Sequence, residues 1–140
     1  MSGERTASDK ALFDLAIKAR AKAYARYSKF KVGAAIIDES GGTHVGCNVE
    51  NGAYPLGACA EAGAISAMIA AGGRKIARIA IVGGREALEK CPPCGGCRQR
   101  IAEFATPKTR ILLKDAAGDV SAYSIADLLP GAFHLEDEAS

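Results

Sequence analysis

The chain has little of what would mark it for a membrane, a polyanion or a repeat architecture. Eighteen Lys and Arg stand against sixteen Asp and Glu, a net charge of +2. That surplus is too slight to argue for a nucleic-acid or lipid surface. No apolar run approaches the ~20 residues of a membrane span. The stretch Met1–Asp9 is polar and lacks the apolar core of a signal peptide, so export is not indicated and a reducing, cytoplasmic setting is expected. Internal repeats and low-complexity segments are absent. What remains is a chain of 140 residues, 49% hydrophobic and 24% charged, a composition that argues against disorder. We expect one domain over 1–140, with a loose tail at 1–7 and an acidic tail at 134–140 that carries Glu136-Asp137-Glu138.

Histidine is scarce too. His44 and His134 are the only two, and neither stands near other metal-ligating residues. Cysteine is not scarce: there are five. In a reducing compartment five cysteines read as ligands or free thiols rather than as a disulfide frame.

Hydrophobic spacing orders the rest. Ser8 or Asp9 caps a first helix, in which Leu12, Leu15, Ala16, Ala19 and Ala23 share one face. Val32–Ile37 is a short apolar run that reads as a buried strand. Asp38-Glu39-Ser40-Gly41-Gly42 reads as a hairpin loop, and Thr43–Cys47 as the returning strand. After the loop 48–58, a helix starts at Cys59 and stops at Gly72-Gly73. Ile76–Val82 is a continuous β-branched run, expected as a central strand. A helix from Cys94, ended by Pro107, precedes a strand at Arg110–Lys114, an edge strand at Val120–Tyr123 and a short helix capped by Ser124. Strand–helix–strand units of this kind imply parallel neighbours with helices on both faces. The expected fold is α/β: a three-layer α/β/α sandwich around a mixed, about five-stranded sheet.

Two stretches carry the chemistry: Cys59-Ala60-Glu61 and Pro93-Cys94-Gly95-Gly96-Cys97. Three thiols at the starts of two helices suit zinc, a metal that thiolates bind well. Three protein ligands leave a fourth position open, where a bound water is acidified to a pKa of about 7. Glu61, two residues from a ligand, is placed to handle that water's protons. The zinc deaminases share this arrangement: His or Cys, then x-Glu, and later Pro-Cys-x-x-Cys. A rival set is Cys91-x-x-Cys94-x-x-Cys97, the spacing of an iron–sulfur run. That run expects a fourth cysteine where Ile101 stands, so a cluster would have to recruit Cys59 or Cys47, and it has no use for Glu61. Cys91 and Cys47 are expected to be unligated thiols, and one zinc per chain is expected.

Nearly the whole chain, from about Ala11 to Phe133, resembles the small homotetrameric cytidine deaminases. Besides the metal motif, the blocks Phe30-Lys31-Val32-Gly33-Ala34-Ala35, Gly46-Cys47-Asn48-Val49-Glu50-Asn51, Tyr54-Pro55 and Leu128-Leu129-Pro130 occur in that family's order. The resemblance implies a cytidine deaminase-like fold and a homotetramer with active sites at subunit interfaces. It also implies hydrolytic deamination of cytidine and deoxycytidine to uridine and deoxyuridine, a step of pyrimidine salvage. In that reaction zinc-bound hydroxide attacks C4 while Glu61 shuttles the proton. By the same resemblance Cys59, Cys94 and Cys97 hold zinc, and Asn48 and Glu50 bind the ribose hydroxyls. Phe30 lies beside the nucleoside, the Ala60 backbone meets the pyrimidine, and Tyr54 and Phe133 lie near subunit boundaries, Phe133 reaching a neighbour's base.

In one respect the chain departs from the family, which often has arginine where Ala62 stands. Three thiolates outweigh the zinc dication by one charge, and arginine would offset the excess. Two helix N-termini point at the same place; Arg98 is near in sequence. The alternative substrates are other aminopyrimidine nucleosides, such as blasticidin S. The alternative outside enzymes is a structural zinc or iron–sulfur module.

Overall fold

The structure, a computed structural model, describes residues 7–135. The first six residues of the expected N-terminal tail and the run Glu136-Asp137-Glu138 lie outside the described residues. Ser8 caps α1 (Asp9–Ala21), its hydroxyl accepting from the Ala11 N–H at 3.1 Å. Just before it, the Ala7 carbonyl accepts from the Arg78 guanidinium. A hairpin follows, β1 (Lys31–Asp38) and β2 (Thr43–Cys47). A 3₁₀ turn (Tyr54–Leu56) leads to α2 (Ala60–Ala70), then β3 (Ile76–Gly84) and α3 (Gly95–Phe104). The chain closes with β4 (Ala105–Lys114), β5 (Val120–Tyr123) and α4 (Ile125–Leu128). Ser124 and Asp127 form a reciprocal capping box on α4. No described helix is long and apolar enough to cross a membrane.

The five strands form one mixed sheet in the order β2-β1-β3-β4-β5, covered on both faces. Alternation along each central strand divides the core, because successive side chains point to opposite faces. Ala35, Ile37, Ala80, Val82 and Leu112 meet Leu12, Phe13 and Ala16 of α1. Ala34, Ile36, Ile79, Ile81, Ile111 and Leu113 meet the helices opposite through Ala64, Met68, Ile101 and Leu128. The expected three layers are therefore present.

Three local expectations are corrected. The β2–α2–β3 unit does not place its strands side by side. β2 and β3 both pair antiparallel to β1, so they run parallel to each other with β1 between them. The hairpin occupies one edge of β1 and leaves the other for β3. Only β3 and β4 are parallel neighbours. On α1 the fully buried residues are Leu12, Phe13 and Ala16; Phe13, outside the expected face, joins it, and Leu15 packs part-buried against the same cluster. Finally, β4 starts at Ala105, directly after α3, so Pro107 lies within the strand. The register shifts there, from Ile76 opposite Ala105 to Arg78 opposite Arg110. This is the kind of irregularity in which a residue without an N–H is tolerated.

One glycine sets the distance between sheet and metal-motif helix. A Cβ at Gly46 of β2 would lie 2.4 Å from the Ala64 nitrogen and 2.5 Å from the Ala60 carbonyl oxygen. Only hydrogen fits there, and α2 rests directly on the hairpin.

Candidate metal centre

The helix starts bring the three thiols together. Cys59 is the N-cap of α2, Cys94 is the N-cap of α3, and Cys97 lies in the first turn of α3. Neither cap residue makes a side-chain capping hydrogen bond, so both sulfurs are free to turn toward each other. The Sγ atoms of Cys59, Cys94 and Cys97 lie within 4.8 Å of one another. Tetrahedral zinc with Zn–S bonds of ~2.3 Å places its sulfurs ~3.8 Å apart, so a small inward adjustment closes the site. The group includes neither Cys91 nor Cys47, and all five cysteines are unpaired.

The electrostatics follow from the helix starts and from burial. The Cys94 thiol is held below its ordinary value, chiefly by the Cys97 N–H directed at it, with the Gly96 N–H assisting. These are N–H groups that the first turn of a helix leaves without partners. Burial pushes the Cys59 and Cys97 thiols up, so a metal entering the site must displace their protons. Burial also raises the Glu61 carboxyl. Glu61 is only 5% exposed and lies on the first turn of α2 beside Cys59.

A cleft of about 320 Å³ opens over the group, its walls including Asn48, Glu50, Tyr54, Ala60, Glu61 and Cys94. Most of the residues singled out from the sequence thus face one space. Phe30 is not in its wall; its ring and the Cys91 side chain both lie close over Gly83, where a Cβ would come within 3.0 and 2.8 Å of them. Cys91 does line the cleft, and burial pushes its thiol up to about 11. Phe133 is 70% exposed and is not in the wall either. Tyr54 is 77% exposed and overhangs the opening.

Asn48 and Glu50 are tied into the backbone opposite. The Asn48 amide donates to the Phe30 carbonyl at 2.9 Å and accepts from the Val32 N–H at 2.8 Å. Glu50 accepts from the N–H groups of Tyr27 and Ser28, at 2.9 and 3.1 Å, and from the Ser28 hydroxyl. The hydroxyl is the main reason the Glu50 carboxyl stays below its ordinary value. The loop they hold contains Lys29 at φ 62°, a left-handed conformation that costs a non-glycine residue energy. Sequence reasoning did not anticipate these bonds.

Arg98, near the thiols in sequence, is committed elsewhere. Arg98 donates to the carbonyls of Pro93 (2.9 Å) and Leu128 (3.0 Å). Arg100 is the one whose Nη1 comes within 4.0 Å of the Cys97 sulfur. Helical i,i+3 spacing from Cys97 is the signal that would have found it.

Residues 6–113 match the family described as the cytidine and deoxycytidylate deaminase zinc-binding region. A cytidine deaminase of Sporosarcina psychrophila is 44% identical over 120 residues, covering 86% of this chain and 87% of that protein. One from Halalkalibacterium halodurans is 41% identical over 122 residues, covering 87% and 91%. The crystal structure of a cytidine deaminase from Burkholderia pseudomallei superposes with a TM-score of 0.83 at 45% identity, over 91% of this chain and all of that one.

Proposed function

Because the chain belongs to the cytidine and deoxycytidylate deaminase zinc-binding family, we propose a mechanism in which its own residues carry out that chemistry. The protein is a zinc-dependent cytidine deaminase, converting cytidine and deoxycytidine with water to uridine and deoxyuridine plus ammonia. The observation that carries this reading is the convergence of Cys59, Cys94 and Cys97 within 4.8 Å of one another, with Cys59, Cys94 and Glu61 lining one cleft.

Cys59, Cys94 and Cys97 hold the zinc. Bound there, zinc supplies a Lewis acid that makes water a competent nucleophile near neutral pH. Glu61 accepts the proton that water loses as it adds to C4 and delivers it to N3; it then takes the remaining hydroxyl proton at C4 and passes it to the amino group, which leaves as ammonia. Its burial suits this work, since raising a carboxyl from its ordinary value moves it toward the neutral range, where one group can both take up and return a proton. The backbone of Ala60, at the head of α2, faces the pyrimidine.

Asn48 and Glu50 bind the ribose hydroxyls. An ionised carboxylate offers about four acceptor positions, and three donors from Tyr27 and Ser28 already fix Glu50 in place. The remaining position faces the cleft as a preorganised acceptor. Phe30 closes the nucleoside's edge of the site.

The working form is a homotetramer with sites at subunit interfaces. Val49, Tyr54 and Leu56, 50%, 77% and 71% exposed, stand around the cleft as apolar surface that association would cover. Phe133 reaches the base bound by a neighbour. Five unpaired cysteines suit a reducing cytoplasm. The direct test is ammonia release and the accompanying ultraviolet change on adding cytidine, before and after zinc removal. Turnover that depends on zinc supports the reading; turnover indifferent to chelation refutes it. Light scattering of the purified protein tests the tetramer, and a monomeric mass would refute it.

A further inference from the structure

The geometry points to Arg100 as a positioning residue for the metal thiolates, filling from α3 the space that Ala62 leaves on α2. The inference rests on the zinc reading above. Three thiolates outweigh one zinc dication by a full charge, and an ionised Glu61 adds a second. The helix N-termini at Cys59 and Cys94 offset part of this. Position 62 supplies no charge, only a methyl group.

Arg100 does supply one. Its Nη1 lies 4.0 Å from the Cys97 sulfur, one helical turn along α3. A shallow groove between α2 and α3 is lined by Ala62, Ser66, Arg100 and Glu103 among others, so the small side chain at 62 and the long one at 100 share a single space. The guanidinium lies over the first turn of α3: a Cβ at Gly96 would sit 3.4 Å from the Arg100 Nη1, an ordinary contact. Among the described residues no carboxylate lies within 4.0 Å of Arg100, including Glu103 in the same groove. Its charge is therefore not spent on a close ion pair, and its one side-chain hydrogen-bond partner among the described residues is the Cys97 sulfur. Arg98, by contrast, is committed to two carbonyls.

Arg100 acts through Cys97. It donates to the sulfur, draws negative charge from it, and fixes its direction, which favours metal retention and keeps the zinc electrophilic. Opposite charges about 4 Å apart at a water-exposed edge interact by roughly the energy of a five- to tenfold change in affinity. Arg100→Gln keeps the helix propensity and length of the side chain while removing its charge.

The test measures zinc affinity of the full chain by competition with a chromophoric chelator, with a thermal melt alongside to show that each variant is folded. Arg100→Gln is expected to bind zinc about five- to tenfold more weakly and to lower kcat while leaving KM for cytidine unchanged. The deficit relative to wild type shrinks in high salt. Arg100→Lys recovers most of the affinity. The double variant Arg100→Gln with Ala62→Arg returns a guanidinium to the same groove from the other helix and restores binding. Wild-type zinc affinity in Arg100→Gln would overturn the inference. So would a loss that neither Lys at 100 nor Arg at 62 repairs, which would assign Arg100 to packing. Failure of the underlying zinc reading is distinct: the wild-type chain itself would then bind no zinc.

Discussion

Substituting Gly46 by alanine tests how tightly the sheet dictates the site. The added methyl would sit 2.4 Å from the Ala64 nitrogen and 2.5 Å from the Ala60 carbonyl, whereas ordinary contact begins near 3.4 Å. Both atoms belong to the backbone of α2, and a helix cannot move aside as a flexible side chain can. Relief requires β2 and α2 to separate by about 1 Å, against cores that resist overpacking at a cost of ~1–3 kcal/mol. For a domain of this size that cost lowers Tm by roughly 3–12 °C. The same shift carries Cys59 and Glu61 with the head of α2, away from Cys94 and Cys97 on α3. Misplacement by about 1 Å commonly costs ~10²-fold in rate. Gly46→Ala should therefore lose stability and turnover together, measured by calorimetry and by ammonia release at saturating zinc. A variant that melts with the wild type, or that melts lower but turns over normally, would refute the claim that this contact positions the site.

Glu61→Gln is expected to keep zinc and fold while kcat falls ~10²–10⁴-fold; retained turnover would remove Glu61 from the proton path. Glu50→Ala should raise KM for cytidine with zinc content unchanged, and an unaltered KM would count against its sugar contact. The third test is pH-dependent. Burial alone would raise the Asp38 carboxyl, but His44, at 2.7 Å, and the N–H groups of Ser40 and Gly42 outweigh it and hold the group below its usual value. A carboxyl depressed in the folded state contributes stability above its unfolded pKa of ~3.9 and loses it as pH falls through the lower folded value. Asp38→Ala should thus cost about 2 kcal/mol at pH 7 and progressively less below pH 4, read from urea denaturation. A difference constant with pH would refute the ionic role.

Much of this was legible in one dimension. The continuous apolar runs Val32–Ile37 and Ile76–Val82 and the capping residues at Ser8 and Ser124 act within a few residues, so the chain order states them directly. The metal set was legible because its chemistry demands particular side chains at short spacing, Cys59-x-Glu61 and Cys94-x-x-Cys97, each on one helix start. What the order could not state is which distant elements meet. The strand order β2-β1-β3 depends on which edge of β1 remains free once the hairpin has formed. Phe13 joins Leu12 and Ala16 in the core, with Leu15 part-buried against the same cluster, because the sheet under α1 covers a wider arc of the helix than its apolar spacing marks. Asn48 and Glu50 find the Tyr27–Val32 backbone only after β2 returns alongside β1, and Ala62 and Arg100 share one groove only once α2 and α3 lie side by side. The sequence by itself determined the candidate metal-binding thiols, the carboxylate beside them and the layers, since each follows from local periodicity or covalent spacing. Tertiary structure alone decided the geometry and charge balance around them, because contacts between separate elements depend on how the whole sheet closes.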